Sequence, residues 1–172
     1  YLGRVYPHGA LFAHVVGYVG RIDEADQAAM GNAAGAYSHA GKTGLERYYE
    51  DRLRGEPGYR RLETNVAGRT VRALDTLPAK PGTDLRLSID LDLQQAMVDA
   101  FGELEGSAVA VDPRTGEILA MVSLPSYDPN LFVNGISHAD YKALNENPSR
   151  PQFNRLVLGG VAPGSTIKPL LA

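Results

Sequence analysis

The sequence has no cysteine among its 172 residues. This absence excludes disulfides, thiolate metal sites and a cysteine nucleophile, although it leaves the compartment open. The 17 lysines and arginines are scattered along the chain, and the formal net charge is −3. Because no basic surface is concentrated in one stretch, binding to nucleic acid is not expected.

Metal-ligand patterns and membrane-spanning runs are missing as well. The four histidines, His8, His14, His39 and His138, form no i,i+4 pair and lack the acidic neighbours of a zinc site. We interpret them as structural and expect no metal or other cofactor. No apolar run approaches the roughly 18 residues that span a bilayer, and no basic-then-apolar leader follows Tyr1. We therefore expect an internal piece of a longer protein.

Local signals organise the N-terminal half. The apolar stretch 10–19 becomes β-branched and aromatic towards its end, which predicts a strand there. Residues 23–40 predict a weak helix followed by a mobile connection. Thr43 and Glu46 have the spacing of a capping box, so a helix is predicted over 43–54, stopped by the glycine that follows.

A hairpin and a boundary are predicted next. Apolar and charged residues alternate over 59–74 around a turn at 65–68, the pattern of a hairpin with one wet face. Residues 78–82 contain two prolines and a glycine and break all periodicity. We therefore predict a domain boundary there, which divides the chain into residues 1–80 and 81–172.

The second half carries stronger signals. A strand is predicted over 84–89, and Asp90 has the position of an N-cap for the helix that follows. Two apolar β runs, 107–111 and 117–123, are joined by a turn containing Pro and Gly and predict a hairpin. A second capping-box pattern at Ser137 opens a short helix. Helical spacing of the apolar residues after Asp90 predicts this buried face: Leu93, Ala96, Met97, Ala100 and Phe101.

The tetrapeptide Ser-Thr-Ile-Lys at residues 165–168 has the spacing of a catalytic motif. On a helix, Ser165 and Lys168 share a face, so the lysine nitrogen can approach the hydroxyl. A serine hydroxyl is a weak nucleophile at neutral pH, and a lysine held neutral by burial can take its proton. Alone, the tetrapeptide also fits a helix cap beside a surface lysine. Pro169 argues against a plain surface helix, because it removes a backbone donor.

Two other motifs are assigned to structure. Lys42, Thr43 and Gly44 spell a triplet that serine acyltransferases blocked by β-lactams carry on an active-site strand. Here the triplet precedes the serine and Thr43 is expected to cap a helix, so no catalytic role is predicted. Gly35 and Gly41 nearly complete a phosphate-binding loop, but five residues separate them where four are required. Nucleotide binding is therefore not expected.

The context of the serine extends well beyond the tetrapeptide. Residues 159–169 resemble the active-serine segment of class B penicillin-binding proteins. Residues 112–123 resemble the first transpeptidase hairpin of that family, and 125–130 and 154–155 follow in the family's order. Residues 43–55 are similar to its upstream, non-catalytic domain. The resemblance covers nearly the whole chain.

The resemblance implies a fold and a chemistry. The fold is α+β: a mostly β pedestal segment of the dimerisation type over 1–80, then the truncated start of a serine transpeptidase domain, β-lactamase-like, over 81–172. The implied activity is that of a peptidoglycan D,D-transpeptidase, in which Ser165 attacks the penultimate D-Ala carbonyl of a stem pentapeptide and Lys168 accepts the proton. β-Lactams would acylate the same serine, and no cofactor is implied.

The family also implies a location and partners. The location is the periplasmic face of the bacterial inner membrane, with an anchor helix that is absent from this chain. The partners are peptidoglycan stem peptides, β-lactam antibiotics, and the glycosyltransferase and scaffold proteins of the cell-wall elongation machinery. Neither nucleic acid nor direct membrane contact by this chain is expected.

The sequence lacks two motifs of the family pattern. No Ser-x-Asn occurs in it, and no Lys-Thr-Gly follows the serine. Because losing one oxyanion donor costs on the order of 100 to 1,000-fold in turnover, we expect the 172-residue chain itself to be inactive.

Two functions other than transpeptidase activity also fit parts of the sequence. One is a non-catalytic interaction module that docks elongation proteins, which an exposed sheet edge in 59–74 would favour. The other is a β-lactamase or β-lactam sensor, which would share the serine motif but should lack residues 1–80.

Overall fold

The protein folds as a mixture of short helices and strands. The computed structural model describes residues 3–160 and Lys168, except for the side chains of residues 32 and 33. The α-helices are α1 Ala13–Val16, α2 Glu24–Met30, α3 Gly44–Tyr48, α4 Glu50–Leu53, α5 Leu91–Phe101, α6 Asn130–Val133 and α7 His138–Glu146. The strands are β1 Val19–Arg21, β2 His39–Gly41, β3 Tyr59–Thr64, β4 Thr70–Leu77, β5 Gly106–Val111 and β6 Ile118–Leu124. This confirms the predicted α+β class.

The strands pair as antiparallel two-stranded sheets. Val19 of β1 lies opposite Gly41 of β2. The β3–β4 and β5–β6 pairs are the two predicted hairpins, and the pairing register shifts twice in the first and once in the second. The strand predicted at the end of the apolar stretch 10–19 is correct only in part, because residues 13–16 form α1 and β1 begins at Val19. Helix α2 confirms the predicted weak helix, and a 3-10 helix, Gly31–Ala36, forms part of the connection to β2.

The helix predicted over 43–54 is broken into α3 and α4. Tyr49 interrupts it with φ −105° and ψ 21°. Each half is held by a different tertiary contact: Glu46 of α3 binds Arg4, whereas Glu50 of α4 accepts a 2.7 Å hydrogen bond from the Gly41 amide. Gly55, with φ +74°, follows the end of α4 as predicted.

The capping box predicted at Thr43 and Glu46 is wrong. Thr43 precedes α3 in an extended conformation, but its side chain makes no cap hydrogen bond. The Glu46 carboxylate instead lies 2.9 Å from the Arg4 guanidinium, because a charged donor binds a carboxylate more strongly than a backbone amide does. A capping box does occur where none was predicted, between Asp23 and Asp26 of α2.

The region after the predicted boundary differs in part from expectation. No strand forms over 84–89: only the Ser88 hydroxyl and the Asp90 amide reach β6, at the carbonyls of Ile118 and Leu119, and two isolated bonds make no ladder. Asp90 caps α5 as predicted, accepting a 2.9 Å bond from the Leu93 amide.

The buried face of α5 was predicted only in part. Leu93, Met97 and Phe101 are half-buried, but Ala96 and Ala100 are exposed. The most buried residue of the helix is Gln94. Helix α7 begins as predicted at Ser137, whose hydroxyl accepts from the Asp140 amide and donates to its carboxylate.

The core joins the two ends of the sequence. Tyr6, Val19 and Val133 form one cluster, and Ala13, Tyr127 and Phe132 form the other. Tyr18 packs against both clusters and stacks on Phe132 at 4.3 Å between ring centroids. Residues before β2 and after β6 therefore fold as one body.

Two glycines allow this body to close. Gly17 has φ +77°, and a Cβ there would lie 2.0 Å from the Thr43 carbonyl oxygen. Gly44 has φ +59°, and a Cβ there would lie 2.6 Å from the Val15 carbonyl oxygen. Both positions require glycine because α1 and α3 approach each other through their backbones.

The β3–β4 hairpin differs from the rest of the fold. Every residue of both strands is exposed, so it has two wet faces rather than the one that was predicted. Its turn is fixed by Asn65, whose side-chain oxygen accepts from the amides of Ala67 and Arg69. Among the residues that the structure describes, no helix combines the length and apolar character needed to cross a membrane.

Candidate functional site

The structure describes only one of the two predicted catalytic residues. Ser165 lies outside the described residues, whereas Lys168 is described and exposed. A lysine base needs burial to keep its amine neutral. The structure does describe the residues that lead to the serine, up to residue 160, and those that support them.

The segment that leads to the serine is tied to three parts of the fold. The Arg155 amide donates a 3.0 Å hydrogen bond to Ser123 of β6. The Arg155 guanidinium lies 3.1 Å from the carboxylate of Glu105, just before β5. The Asn154 side chain donates a 3.1 Å bond to the His14 carbonyl of α1. Residues 154 and 155 are thus held by elements from both halves of the sequence.

His14 lies beside this segment. Its ring meets Tyr127 edge-on at 5.4 Å. Burial is the largest cause that lowers the pKa of His14, and the Arg155 charge acts in the same direction, whereas the nearby backbone of Pro125 and Pro151 acts to raise it. Burial also raises the pKa of Tyr127 to about 12. A cavity of about 610 Å³ adjoins these rings, with Thr43, Asn154 and Leu158 in its wall.

Gln94 joins α5 to its surroundings. Its side chain is fully buried. The amide pairs with Met121 of β6 as a neighbouring strand would, donating to its carbonyl and accepting from its N–H, both at 2.8 Å. The second amide hydrogen goes to the Leu11 carbonyl at 3.0 Å. Gln94 thereby joins α5 to two other segments of the chain, β6 and the segment that contains Leu11.

A second joint lies at the other end of the core. The Asn130 side chain accepts from the Tyr6 amide at 2.9 Å and donates to the Tyr6 carbonyl at 3.0 Å. The Tyr6 hydroxyl in turn donates to Glu46 and accepts from the Val19 amide. Burial, with the Glu46 charge next, raises the pKa of Tyr6 above its ordinary value.

The Lys42 to Gly44 triplet makes structural contacts. Lys42 lies 2.8 Å from the carboxylate of Asp23 and also bonds to Asp26. Burial opposes the charge of Lys42, but these two carboxylates outweigh it and raise its pKa. Thr43 immediately precedes α3, and Gly44 permits the contact with α1. Among the described residues, no three His, Cys, Asp or Glu side chains are grouped to hold a metal ion.

Two domain families match the sequence. The penicillin-binding protein dimerisation domain matches residues 1–87. The chain belongs to the penicillin-binding protein family. The penicillin-binding protein transpeptidase domain matches residues 106–172, a range that begins at the first residue of β5 and includes Ser165 and Lys168.

Individual relatives agree with this assignment. The peptidoglycan D,D-transpeptidase MrdA of Escherichia coli K12 is 45% identical over 177 residues, which cover all of this chain and 28% of the relative. Pseudomonas aeruginosa PBP2, solved in complex with WCK 5153, is 46% identical with a TM-score of 0.81, over 97% of this chain and 33% of that one. Helicobacter pylori PBP2, solved in complex with MreC, is 32% identical with a TM-score of 0.85, over 97% and 31%.

This penicillin-binding protein chain therefore spans about a quarter to a third of the length of the proteins it matches.

Sequence reasoning missed the supporting residues. Gln94 carries a detectable signal, since it is a polar residue inside the apolar stripe of α5, where burial demands hydrogen bonds. Asn130 and Tyr6 carry none, because their partners lie 124 residues apart in the sequence. Arg155 was noted only as part of the family resemblance, and the carbonyls that it binds cannot be read from the sequence.

Proposed function

We propose that the full-length protein is a peptidoglycan D,D-transpeptidase with Ser165 as nucleophile and Lys168 as base. One observation carries the proposal: the transpeptidase domain family matches a range that contains both residues. The 45% identity to MrdA across the whole chain supports it. The further placement in the PBP2 group rests on the two PBP2 structures that share the fold.

The proposed reaction has two steps. Lys168 removes the hydroxyl proton of Ser165, whose oxygen forms a bond to the penultimate D-Ala carbonyl carbon while the bond to the terminal D-Ala nitrogen breaks. That nitrogen takes a proton and leaves as D-Ala. An amine of a neighbouring stem peptide then attacks the acyl-serine, releases Ser165 and completes the cross-link. A β-lactam would enter the first step and remain as the acyl group.

The 172-residue chain alone is proposed to be inactive. It has no Ser-x-Asn, and no Lys-Thr-Gly follows Ser165. Lys168 is exposed, whereas the proposed base must be buried.

We also propose a domain boundary near residues 78–82, with residues 1–80 as the pedestal and 81–172 as the start of the transpeptidase domain.

Location and partners follow from the family. We place the protein at the periplasmic face of the bacterial inner membrane, held by a membrane anchor, where it would help set cell shape. Its substrates would be peptidoglycan stem peptides, and its protein partners the glycosyltransferase and scaffold of the elongation machinery. That H. pylori PBP2 was solved in complex with MreC supports the binding of a protein partner.

A non-catalytic docking module is the second candidate for this chain. It is favoured by the β3–β4 hairpin, whose residues are all exposed and include the apolar side chains of Leu62, Val71 and Leu74. The two functions are compatible in one full-length protein, since the hairpin lies far in sequence from Ser165.

The test is intact-mass spectrometry of the full-length protein after incubation with benzylpenicillin. We expect one adduct in the natural protein and none in Ser165→Ala. Lys168→Ala should be acylated more slowly by on the order of 100-fold or more, as for loss of a general base. Lys142→Ala, which removes an exposed lysine of α7, is the matched control and should react normally. An adduct on Ser165→Ala would refute the assignment, and an adduct on the 172-residue chain would refute its inactivity.

A further inference from the structure

We propose that Arg155 is a positioning residue for the nucleophile, fixing the start of the segment that carries Ser165. This inference rests on the proposed function and adds a residue to it. Arg155 precedes Ser165 by ten positions in the sequence. Its side chain contacts the backbone of residues 149–153 and the carboxylate of Glu105, so it acts on the chain that leads to the serine.

The Arg155 guanidinium forms hydrogen bonds with the backbone of the preceding loop, residues 149–153. It donates to the carbonyls of Ser149 at 2.5 Å, Arg150 at 3.3 Å and Phe153 at 3.5 Å. Its ion pair with Glu105 adds a fourth contact, and Glu105 also accepts from the Ser149 hydroxyl. The Arg155 side chain is 17% exposed. Its bonds to Ser149 and Phe153 are partly buried, whereas those to Arg150 and Glu105 are exposed. This set of acceptors uses the several N–H groups of a planar guanidinium, which a lysine cannot reproduce.

The loop that Arg155 holds is a constrained one. Arg150 has φ +44°, in the left-handed region that non-glycine residues rarely adopt. Its carbonyl accepts both from the guanidinium and from the Phe153 amide at 3.0 Å. Such a strained backbone conformation persists only where the surrounding structure holds it in place. Here the hydrogen bonds from Arg155 to the carbonyls of this loop hold it.

The same residue is anchored through its backbone. The Arg155 N–H donates to the hydroxyl of Ser123, which is 4% exposed on β6. Next to it, Asn154 bonds to the His14 carbonyl. The chain thus leaves residue 155 from a point fixed to the sheet on one side and to α1 on the other. Because a displacement of about 1 Å in a reacting group can cost about 100-fold in rate, fixing this point matters for Ser165.

The experiment measures acylation of the full-length protein by a fluorescent penicillin at several concentrations. It separates the non-covalent dissociation constant from the acylation rate constant. We expect Arg155→Ala to lower the rate constant by about 100-fold and to leave the dissociation constant within about threefold, because only the reacting group is displaced. Arg155→Lys should recover the charge but only part of the rate, since its ammonium cannot span the three carbonyls.

Two comparison variants and one normalisation make the outcome decisive. Glu105→Gln, which leaves the carbonyl contacts of Arg155 in place, should lose less rate than Arg155→Ala. Arg72→Ala, which removes an exposed ion pair with Glu63 in the hairpin, should react like the natural protein. Rates are normalised to the folded fraction from thermal unfolding, so that a loss of folded protein is not mistaken for displacement.

Two results would overturn the inference: normalised acylation of Arg155→Ala equal to that of the natural protein, or full recovery by Arg155→Lys. Failure of the proposed function would look different, since the natural protein itself would then acquire no label that Ser165→Ala removes.

Discussion

Replacing Gln94 should loosen the joint between α5, β6 and the N-terminal segment. Gln94→Ala removes three hydrogen bonds at once and leaves the N–H and C=O of Met121 and the C=O of Leu11 without their partner. An unsatisfied buried group costs about 1–3 kcal/mol. Met121 and Leu11 are only half-buried, so water can partly replace the lost bonds. We therefore expect a total loss of about 2–4 kcal/mol.

The assay is hydrogen exchange of the peptide that contains Met121, measured by mass spectrometry on the full-length protein. The Met121 amide bonds to the Gln94 side chain, so its exchange reports the opening of this joint. A loss of 2–4 kcal/mol corresponds to exchange that is faster by roughly 30 to 700-fold. Gln95→Ala is the matched control, because Gln95 is exposed and bonds only to Asp99 of its own helix. Equal exchange in Gln94→Ala and Gln95→Ala would refute the reasoning.

Two further predictions concern pH. A hydrogen bond from Lys42 is the largest cause that lowers the pKa of Asp23, to about 2, so this contact stabilises the fold above the ordinary aspartate range and is lost as the pH falls through about 2. A carboxyl titration by NMR should place Asp23 near that value and return it towards the ordinary range in Lys42→Met; an unchanged value would contradict the pairing. Because burial lowers the pKa of His14, the unfolded chain takes up its proton first, and stability should fall as the pH drops below about 6.5. Urea unfolding at pH 7 and 5 should show a smaller difference in His14→Gln than in the exposed His138→Gln, and equal differences would contradict the assignment.

The sequence by itself determined what depends on neighbours along the chain. The β5–β6 hairpin, the Asp90 cap of α5 and the Gly55 stop are settled by residues a few positions apart, so local spacing predicted them. The family was equally accessible, because long stretches of sequence such as 112–123 and 159–169 carry it without reference to a structure.

The tertiary structure alone decided where side chains with a choice of partners go. Glu46 had the spacing for a helix cap, yet it binds Arg4, 42 residues away, because the fold brings a charged donor within reach. Tyr49 breaks a helix that local propensity would continue, since α3 and α4 are held by different partners. The helical period predicted that Ala96 and Ala100 would be buried on α5. Gln94 is buried instead, because the backbone groups of Leu11 and Met121 lie beside it and form hydrogen bonds with its side chain. These partners are distant in sequence, and only the packed chain places them together.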